Sequence, residues 1–150
     1  MRIVIQRVSE ASVTIDGRVA GSIGRGFLVL LGIVDGDTRE DIDWLVGKIT
    51  KMRIFPDADD KMNLCLADVD GNLLVVSQFT LHASTKKGNR PSFTKAARPD
   101  VAIPLYEDFL TTAEQALAKP CARGDFGADM KVSLVNDGPV TILIDSHARE

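Results

Sequence analysis

Two cysteines and two histidines among 150 residues leave little material for soft-metal or redox chemistry. Cys65 and Cys121 lie far apart, with neither a CxxC spacing nor a cysteine framework, so both are expected to be ordinary buried or partly buried thiols. No GxGxxG fingerprint or Walker loop follows any strand-like run, so nucleotide-cofactor binding has no support. The Asp57-Ala58-Asp59-Asp60 stretch lacks calcium-loop spacing and is expected to be a solvated turn. Also missing is any apolar run of about 20 residues, and no leader-like apolar segment follows Met1. The expectation is a cytoplasmic protein with no membrane partner. There is no internal repeat or low-complexity segment.

What remains is 45% apolar and 26% charged, the balance of a folded globular chain and not of a disordered one. Its length suits a single domain spanning 1-150, with one hydrophobic core organising the whole chain and no room for a separate binding domain. Ile3, Ile5 and Val8 interleave with Arg2, Gln6 and Arg7 as in a half-buried strand. Ser12-Val13-Thr14-Ile15 leads into Asp16-Gly17, a hairpin signal, and then Arg18-Val19-Ala20. Phe27 to Leu31 is continuously apolar and short, which favours a central strand.

Thr38 with Asp41 three residues on predicts a helix start, and Ile42, Leu45, Val46, Ile49 and Met52 carry the helical period to about Met52. Asp70-Gly71 predicts a second hairpin turn before a strand running from Leu73 to Leu81. A second helix is predicted over much of Asp100 to Lys119, with Ile103, Tyr106, Phe109, Leu110, Ala113 and Leu117 facing inward. Pro104 must sit near its first turn or kink it, and Pro120 stops it. Lys131 to Val135 and Val140 to Asp145 complete the sheet. Two helices on mainly antiparallel strands make an α+β fold, its sheet curled toward a barrel.

Charge is unevenly spread. Between Lys86 and Arg98 stand five basic residues, Lys86, Lys87, Arg90, Lys95 and Arg98, and no acidic one. The other 13 basic residues face all 21 acidic ones, so a local positive field coexists with a net charge of -3. Such a field attracts a phosphate backbone; a solvated basic loop is the plainer alternative.

Ser77 and Thr80 are nominal nucleophiles, but a hydroxyl needs a positioned base. If the strand runs through Leu81, Thr80 and His82 share a face and Ser77 lies on the other, so a Thr80–His82 pair is open and a Ser77–His82 pair is awkward. No third, orienting group is evident, and hydroxyls that satisfy the backbone are the commoner arrangement. Asn136-Asp137-Gly138-Pro139 resembles a tight turn between strands, yet Pro139 lacks the donor that an ordinary hairpin uses at that point. A cis Gly138–Pro139 bond is one solution; only about 5–6% of X–Pro bonds are cis, so the residues alone favour trans.

Arg7, Met62-Asn63, Val76-Ser77-Gln78-Phe79-Thr80-Leu81, Arg90-Pro91-Ser92-Phe93, Ala128-Asp129-Met130 and Asn136-Asp137-Gly138-Pro139-Val140-Thr141 together resemble the D-aminoacyl-tRNA deacylase (DTD) family. The resemblance runs over essentially the whole chain. It departs locally at His82, and at Gly127, where alanine is frequent in the family.

The resemblance implies a DTD-like fold, a curved, mainly antiparallel β-sheet with two principal helices, assembled as a homodimer. It implies hydrolysis of the ester between a D-amino acid and the terminal ribose of tRNA, removal of glycine from mischarged tRNA(Ala), and no metal or organic cofactor. Carried over residue by residue, Ser77, Gln78, Phe79 and Thr80 form the catalytic side of the pocket and Met130 lines it. Gly138 and Pro139 correspond to a Gly-cisPro element that enters the partner subunit's site and rejects L substrates. Lys86, Lys87 and Arg90 are the candidate tRNA contacts. Backbone N–H groups of Ser77, Gln78 or Thr80 are candidate oxyanion donors, with water and not Thr80 as the attacking group. The competing readings are a non-catalytic tRNA-binding scaffold and a hydrolase of free D-amino acid esters.

Overall fold

In the computed structural model, which describes residues 1–150, the apolar run from Phe27 to Leu31 lies in a strand covered on both faces. The strands are β1 (Arg2–Ile15), β2 (Arg18–Ile23), β3 (Gly26–Gly32), β4 (Phe55–Pro56), β5 (Met62–Leu64), β6 (Asn72–Ser77), β7 (Ala122–Arg123) and β8 (Lys131–Asp145). Helix α1 (Arg39–Lys51) follows β3 and helix α2 (Pro99–Leu117) precedes β7. No helix is long and apolar enough to cross a membrane.

The main sheet runs β2-β1-β3-β6-β7, with β8 also paired to β1. The first half of β1 pairs with β3 and its second half with β2, while β8 accompanies it along nearly its whole length, all antiparallel. β3–β6 and β6–β7 are parallel, so the sheet is mixed. Parallel neighbours need long crossovers, and α1 and α2 lie in those two connections.

Strand alternation sorts side chains into two cores. Phe27, Val29, Leu31, Leu73 and Val75 face the helices; Leu28, Leu74 and Val76 face the opposite way, against Val8, Val13 and Ile23. Each fully buried side chain of this kind contributes about 1.5–3 kcal/mol. The smaller core is enclosed because the sheet curls: a Cβ on Gly21 of β2 would lie 2.7 Å from the Arg123 carbonyl oxygen of β7.

α1 begins as its sequence signals, with Asp41 Oδ2 accepting from the Thr38 N–H at 2.8 Å and Ile42, Leu45, Val46 and Ile49 buried. α2 opens on Pro99, continues past Pro104 at its sixth residue, and ends at Ala118 in the left-handed conformation. Ile103, expected inward, is 40% exposed, whereas Tyr106, Phe109, Leu110 and Ala113 are buried. Asp16 and Gly17 both take positive φ and close the β1–β2 hairpin.

Two expected turns differ. Asp70-Gly71 is a turn, yet no hairpin joins its flanks: β5 pairs with β4, and β6 with β3 and β7. Asn136 to Pro139 does not reverse the chain either, because β8 is one strand from Lys131 to Asp145. The segment is a bulge. Between the Gln6–Thr141 and Val8–Asn136 pairs, β1 takes two steps where β8 takes five.

Candidate active site

Ser77 ends β6, and Gln78 donates its N–H to the Leu31 carbonyl at 2.8 Å before leaving the sheet with ψ 81. Phe79 to His82 then form a single 3-10 turn. The expected strand through Leu81 therefore stops four residues early, and parity no longer places Thr80 with His82. Residues three apart share a face of a 3-10 helix, which aligns His82 with Phe79 instead.

His82 is 8% exposed and its Nε2 has no partner. Burial is the main cause that holds its imidazole below the ordinary pKa, with the Gly32 carbonyl opposing. Thr80 is exposed, and its hydroxyl accepts from Gln78 Nε2 at 2.5 Å. No imidazole or carboxylate is hydrogen-bonded to Thr80, so the Thr80–His82 pair left open by the sequence is not formed. Cys121 is no alternative nucleophile, because burial pushes its thiol up to about 12.

A cavity of about 230 Å³ opens beside this turn, lined on one side by Ser77, Gln78 and Phe79 and on the other by Phe126, Ala128 and Met130. Thr80 is not in its wall. Met130 is held by what stands behind it: a Cβ on Gly124 would lie 2.3 Å from the Met130 sulfur. The wall is mostly apolar, so recognition of a polar ligand falls to the main chain around Ser77 to Phe79. The Gln78 N–H is already committed to Leu31, which removes it from the candidate oxyanion donors. The N–H groups that open the 3-10 turn, Thr80's among them, have no partner within that turn.

The bulge at Asn136–Thr141 forms a separate feature. Gly138–Pro139 is cis, with Gly138 at φ +151, and Asp137, Gly138 and Pro139 are exposed. Asn136 braces the bulge from within, its Oδ1 accepting from the Val140 N–H at 2.8 Å and its Nδ2 donating to the Thr141 hydroxyl at 3.0 Å. Arg7, 8% exposed, reaches it from β1: Nε donates to the Asp137 carbonyl at 2.8 Å and Nη1 to the Ile54 carbonyl at 2.5 Å. Gly138 and Pro139 do not line the cavity of their own chain.

Lys86, Lys87 and Arg90 are exposed on a loop closed by a bridge between Ser84 and Ser92. None of the three is within ion-pair distance of a carboxylate. Asp37, Asp41 and His147 are the one grouping with metal-ligand spacing. Its oxygens are engaged: Asp37 accepts from the Met1 amino group, the His147 ring and the Val34 N–H, and Asp41 closes the α1 cap. Asp57 likewise spends its carboxylate on the N–H groups of Asp59 and Lys61.

Sequence reasoning assigned no role to Arg7, Gly124 or Phe126. The signal for Arg7 was its place among the residues that carry the family resemblance; for Phe126 it was a lone aromatic between Gly124 and Gly127.

Residues 4–145 match the family described as D-Tyr-tRNA(Tyr) deacylase. A protein named D-aminoacyl-tRNA deacylase from Flavobacterium johnsoniae is 63% identical over 150 residues, covering 100% of both chains. A solved structure described as c-Myc DNA Unwinding Element Binding Protein is 40% identical and matches 97% of this chain and 98% of its own with a TM-score of 0.90. Another, described as a probable eukaryotic D-amino acid tRNA deacylase, shares the fold at TM-score 0.80 with 19% identity, over 95% of this chain and 97% of its own. On the match over 4–145 and the full-length identity, the chain belongs to the D-aminoacyl-tRNA deacylases, an enzyme family of hydrolases.

Proposed function

We propose that residues 1–150 act as one cytoplasmic deacylase domain that works as a homodimer, hydrolysing the ester between a D-amino acid and the terminal ribose of tRNA and also clearing glycine from tRNA(Ala). The observation that carries this is the exposed Gly138–Pro139 corner, pinned by Arg7 and lying outside its own chain's cavity. In the dimer each corner closes the cavity of the other copy. Carbonyl oxygens at Gly138 and Phe79 accept from the substrate's ammonium group and fix the alpha carbon. A D side chain then points to open space, an L side chain meets the backbone at Gly138-Pro139, and glycine has nothing to collide.

Ser77, Gln78 and Phe79 form the catalytic wall, with Met130 opposite, and Thr80 completes the catalytic set through its main-chain N–H in the adjoining turn. Charge developing on the carbonyl oxygen is stabilised by N–H groups opening the 3-10 turn, which are fixed before the reaction starts. Water attacks, positioned by the vicinal ribose hydroxyl, and neither metal nor organic cofactor is required. The unpaired cations Lys86, Lys87 and Arg90 hold the tRNA backbone, an attraction that salt screens.

Matched hydrolysis of D-aminoacyl-tRNA, its L counterpart and a free D-amino acid ester tests the proposal. Turnover confined to the D-aminoacyl-tRNA supports it. Binding of tRNA without turnover favours the scaffold reading, and equal turnover of the free ester favours the ester hydrolase.

A further inference from the structure

Arg2 stands on the same strand as Arg7, and its guanidinium reaches the opposite side of the site. Nη1 donates to the Leu81 carbonyl at 2.7 Å, while Nε and Nη2 donate to one carboxylate oxygen of Asp145, at 3.0 and 2.8 Å. Three segments distant in sequence meet at this side chain: the start of β1, the end of β8, and the 3-10 turn from Phe79 to His82. Burial alone would raise the Asp145 carboxyl, yet the His147 N–H and Arg2 hold it below its ordinary pKa, so the guanidinium keeps an ionised partner.

The turn needs such a tie. A single 3-10 turn has poor hydrogen-bond geometry and little order of its own. This one closes on itself through the Leu81 N–H to the Gln78 carbonyl at 3.2 Å and the Ala83 N–H to the Thr80 carbonyl at 3.1 Å. Its front is fixed by the Gln78 N–H on Leu31, and its floor by Gly32, where a Cβ would lie 3.0 Å from both Leu81 Cβ and His82 Cδ2. Packing of this kind sets how low the turn sits and not how it tilts. The directional bond at the rear comes from Arg2, a cation placed where the carbonyls that end a helical turn lack partners and carry partial negative charge.

We infer that Arg2 is a positioning residue for the hydrolysis: held by Asp145, it fixes the tilt of the 3-10 turn and with it the aim of the Thr80 N–H at the oxygen on which charge develops. Arg2 does not line the cavity and touches no reacting atom. The two arginines of β1 then divide the work, Arg7 steadying the corner offered to the other copy and Arg2 the wall that receives the ester. The inference rests on the deacylase function proposed above and on its main-chain donors. Such donors act on transition-state charge, so a mis-aimed turn lowers kcat and leaves KM in place.

The test compares the wild type with Arg2→Lys, Asp145→Asn and the double variant, each checked by a thermal melt. Lysine keeps a cation near Asp145 but lacks the planar fork that reaches the carboxylate and Leu81 together. Arg2→Lys is expected to lower kcat for D-aminoacyl-tRNA about ten- to thirty-fold with KM unchanged within about two-fold. Asp145→Asn lowers kcat by a smaller factor, and the double variant falls no further than Arg2→Lys, because both residues act through one bond. On the substrate-free protein, amide hydrogen exchange at Leu81 and Ala83 quickens in both single variants while that of β3 stays as it was. Should Arg2→Lys fail to fold, Asp145→Asn carries the same readings. Unchanged kcat, a loss that lies in KM, additive effects in the double variant, or unchanged exchange at Leu81 and Ala83 overturns the inference. A wild type without turnover would overturn the deacylase reading and the catalytic role of Arg2 with it, while exchange would still decide whether Arg2 holds the turn.

Discussion

Arg7 donates to the main-chain carbonyl of Asp137 at 2.8 Å, joining the middle of the first strand to the bulge of the last. The same guanidinium also donates to the Ile54 carbonyl, so it clamps two segments with a donor geometry that one ammonium cannot copy. Arg7→Lys is expected to keep the fold and lose the clamp. Hydrogen bonds from a charged donor are worth about 1.5–3 kcal/mol, so kcat/KM for D-aminoacyl-tRNA should fall roughly ten- to hundred-fold, with the D/L ratio falling too. Steady-state kinetics on both stereoisomers, with a melting curve as control, check this; an unchanged D/L ratio would detach Arg7 from selection.

Gly124 controls the cavity from behind. An added methyl would meet the Met130 sulfur at 2.3 Å, and the flexible end of a methionine yields more readily than backbone. Gly124→Ala therefore should push Met130 into the cavity and raise KM by about ten-fold for D-aminoacyl-tRNA and glycyl-tRNA alike, because the D side chain lies in open space and the cavity receives the part that all substrates share. Adding Met130→Ala to the variant should restore KM for both.

Thr80 offers a hydroxyl whose hydrogen-bond partner is an amide, not a base. Thr80→Ala is expected to retain at least about a tenth of kcat, where loss of an obligatory nucleophile costs about 10⁴-fold or more. Single-turnover kinetics with acid quench also report any acyl-protein species, and finding one on Thr80 would replace water attack with covalent catalysis.

These expectations show where the sequence was readable. Asp16-Gly17 and the Thr38–Asp41 cap are local devices, and both formed as their residues signal. The end of β6 was not readable: Phe79-Thr80-Leu81 continues a strand-like pattern, but its partner β3 ends at Gly32, and the chain folds over that glycine so closely that a Cβ there would lie 3.0 Å from Leu81 Cβ and 3.1 Å from the Gln78 carbonyl oxygen. Asn136 to Pro139 carries every mark of a turn. It stays within one strand because β1 pairs with β8 on both sides of the bulge, a long-range constraint that no local residue encodes. Ile103 fits the helical period, yet it lies outside the face that packs on the sheet. Of the site, Ser77, Gln78, Phe79 and Met130 do meet at one cavity, while Thr80, Gly138 and Pro139 stand outside it in the same chain.

His82 gives a pH signature. Its imidazole is held low chiefly by burial, with Arg2 and the Met1 amino group adding to the effect and the Gly32 carbonyl and Asp37 opposing it. A base with a lowered folded pKa favours the folded state above the ordinary value of 6.5, and this contribution is lost as pH falls through the folded pKa. Urea midpoints should therefore fall as pH drops below about 6.5, where the unfolded imidazole takes up its proton more readily than the folded one. His82→Gln should flatten that part of the curve; an equal drop in the variant would assign it to other groups.

The central claim is that each corner works on the other copy's cavity, and mixed dimers test it most directly. One copy carries Gly138→Ala, whose Cβ would meet the Val140 nitrogen at 2.8 Å and distort the corner; the other carries Ala128→Trp, which fills the cavity. Each variant alone should be inactive. Purified heterodimers should recover about half the wild-type D-aminoacyl-tRNA turnover, since one intact cavity then receives one intact corner. Heterodimers as inactive as their parents would mean that corner and cavity act within a single chain.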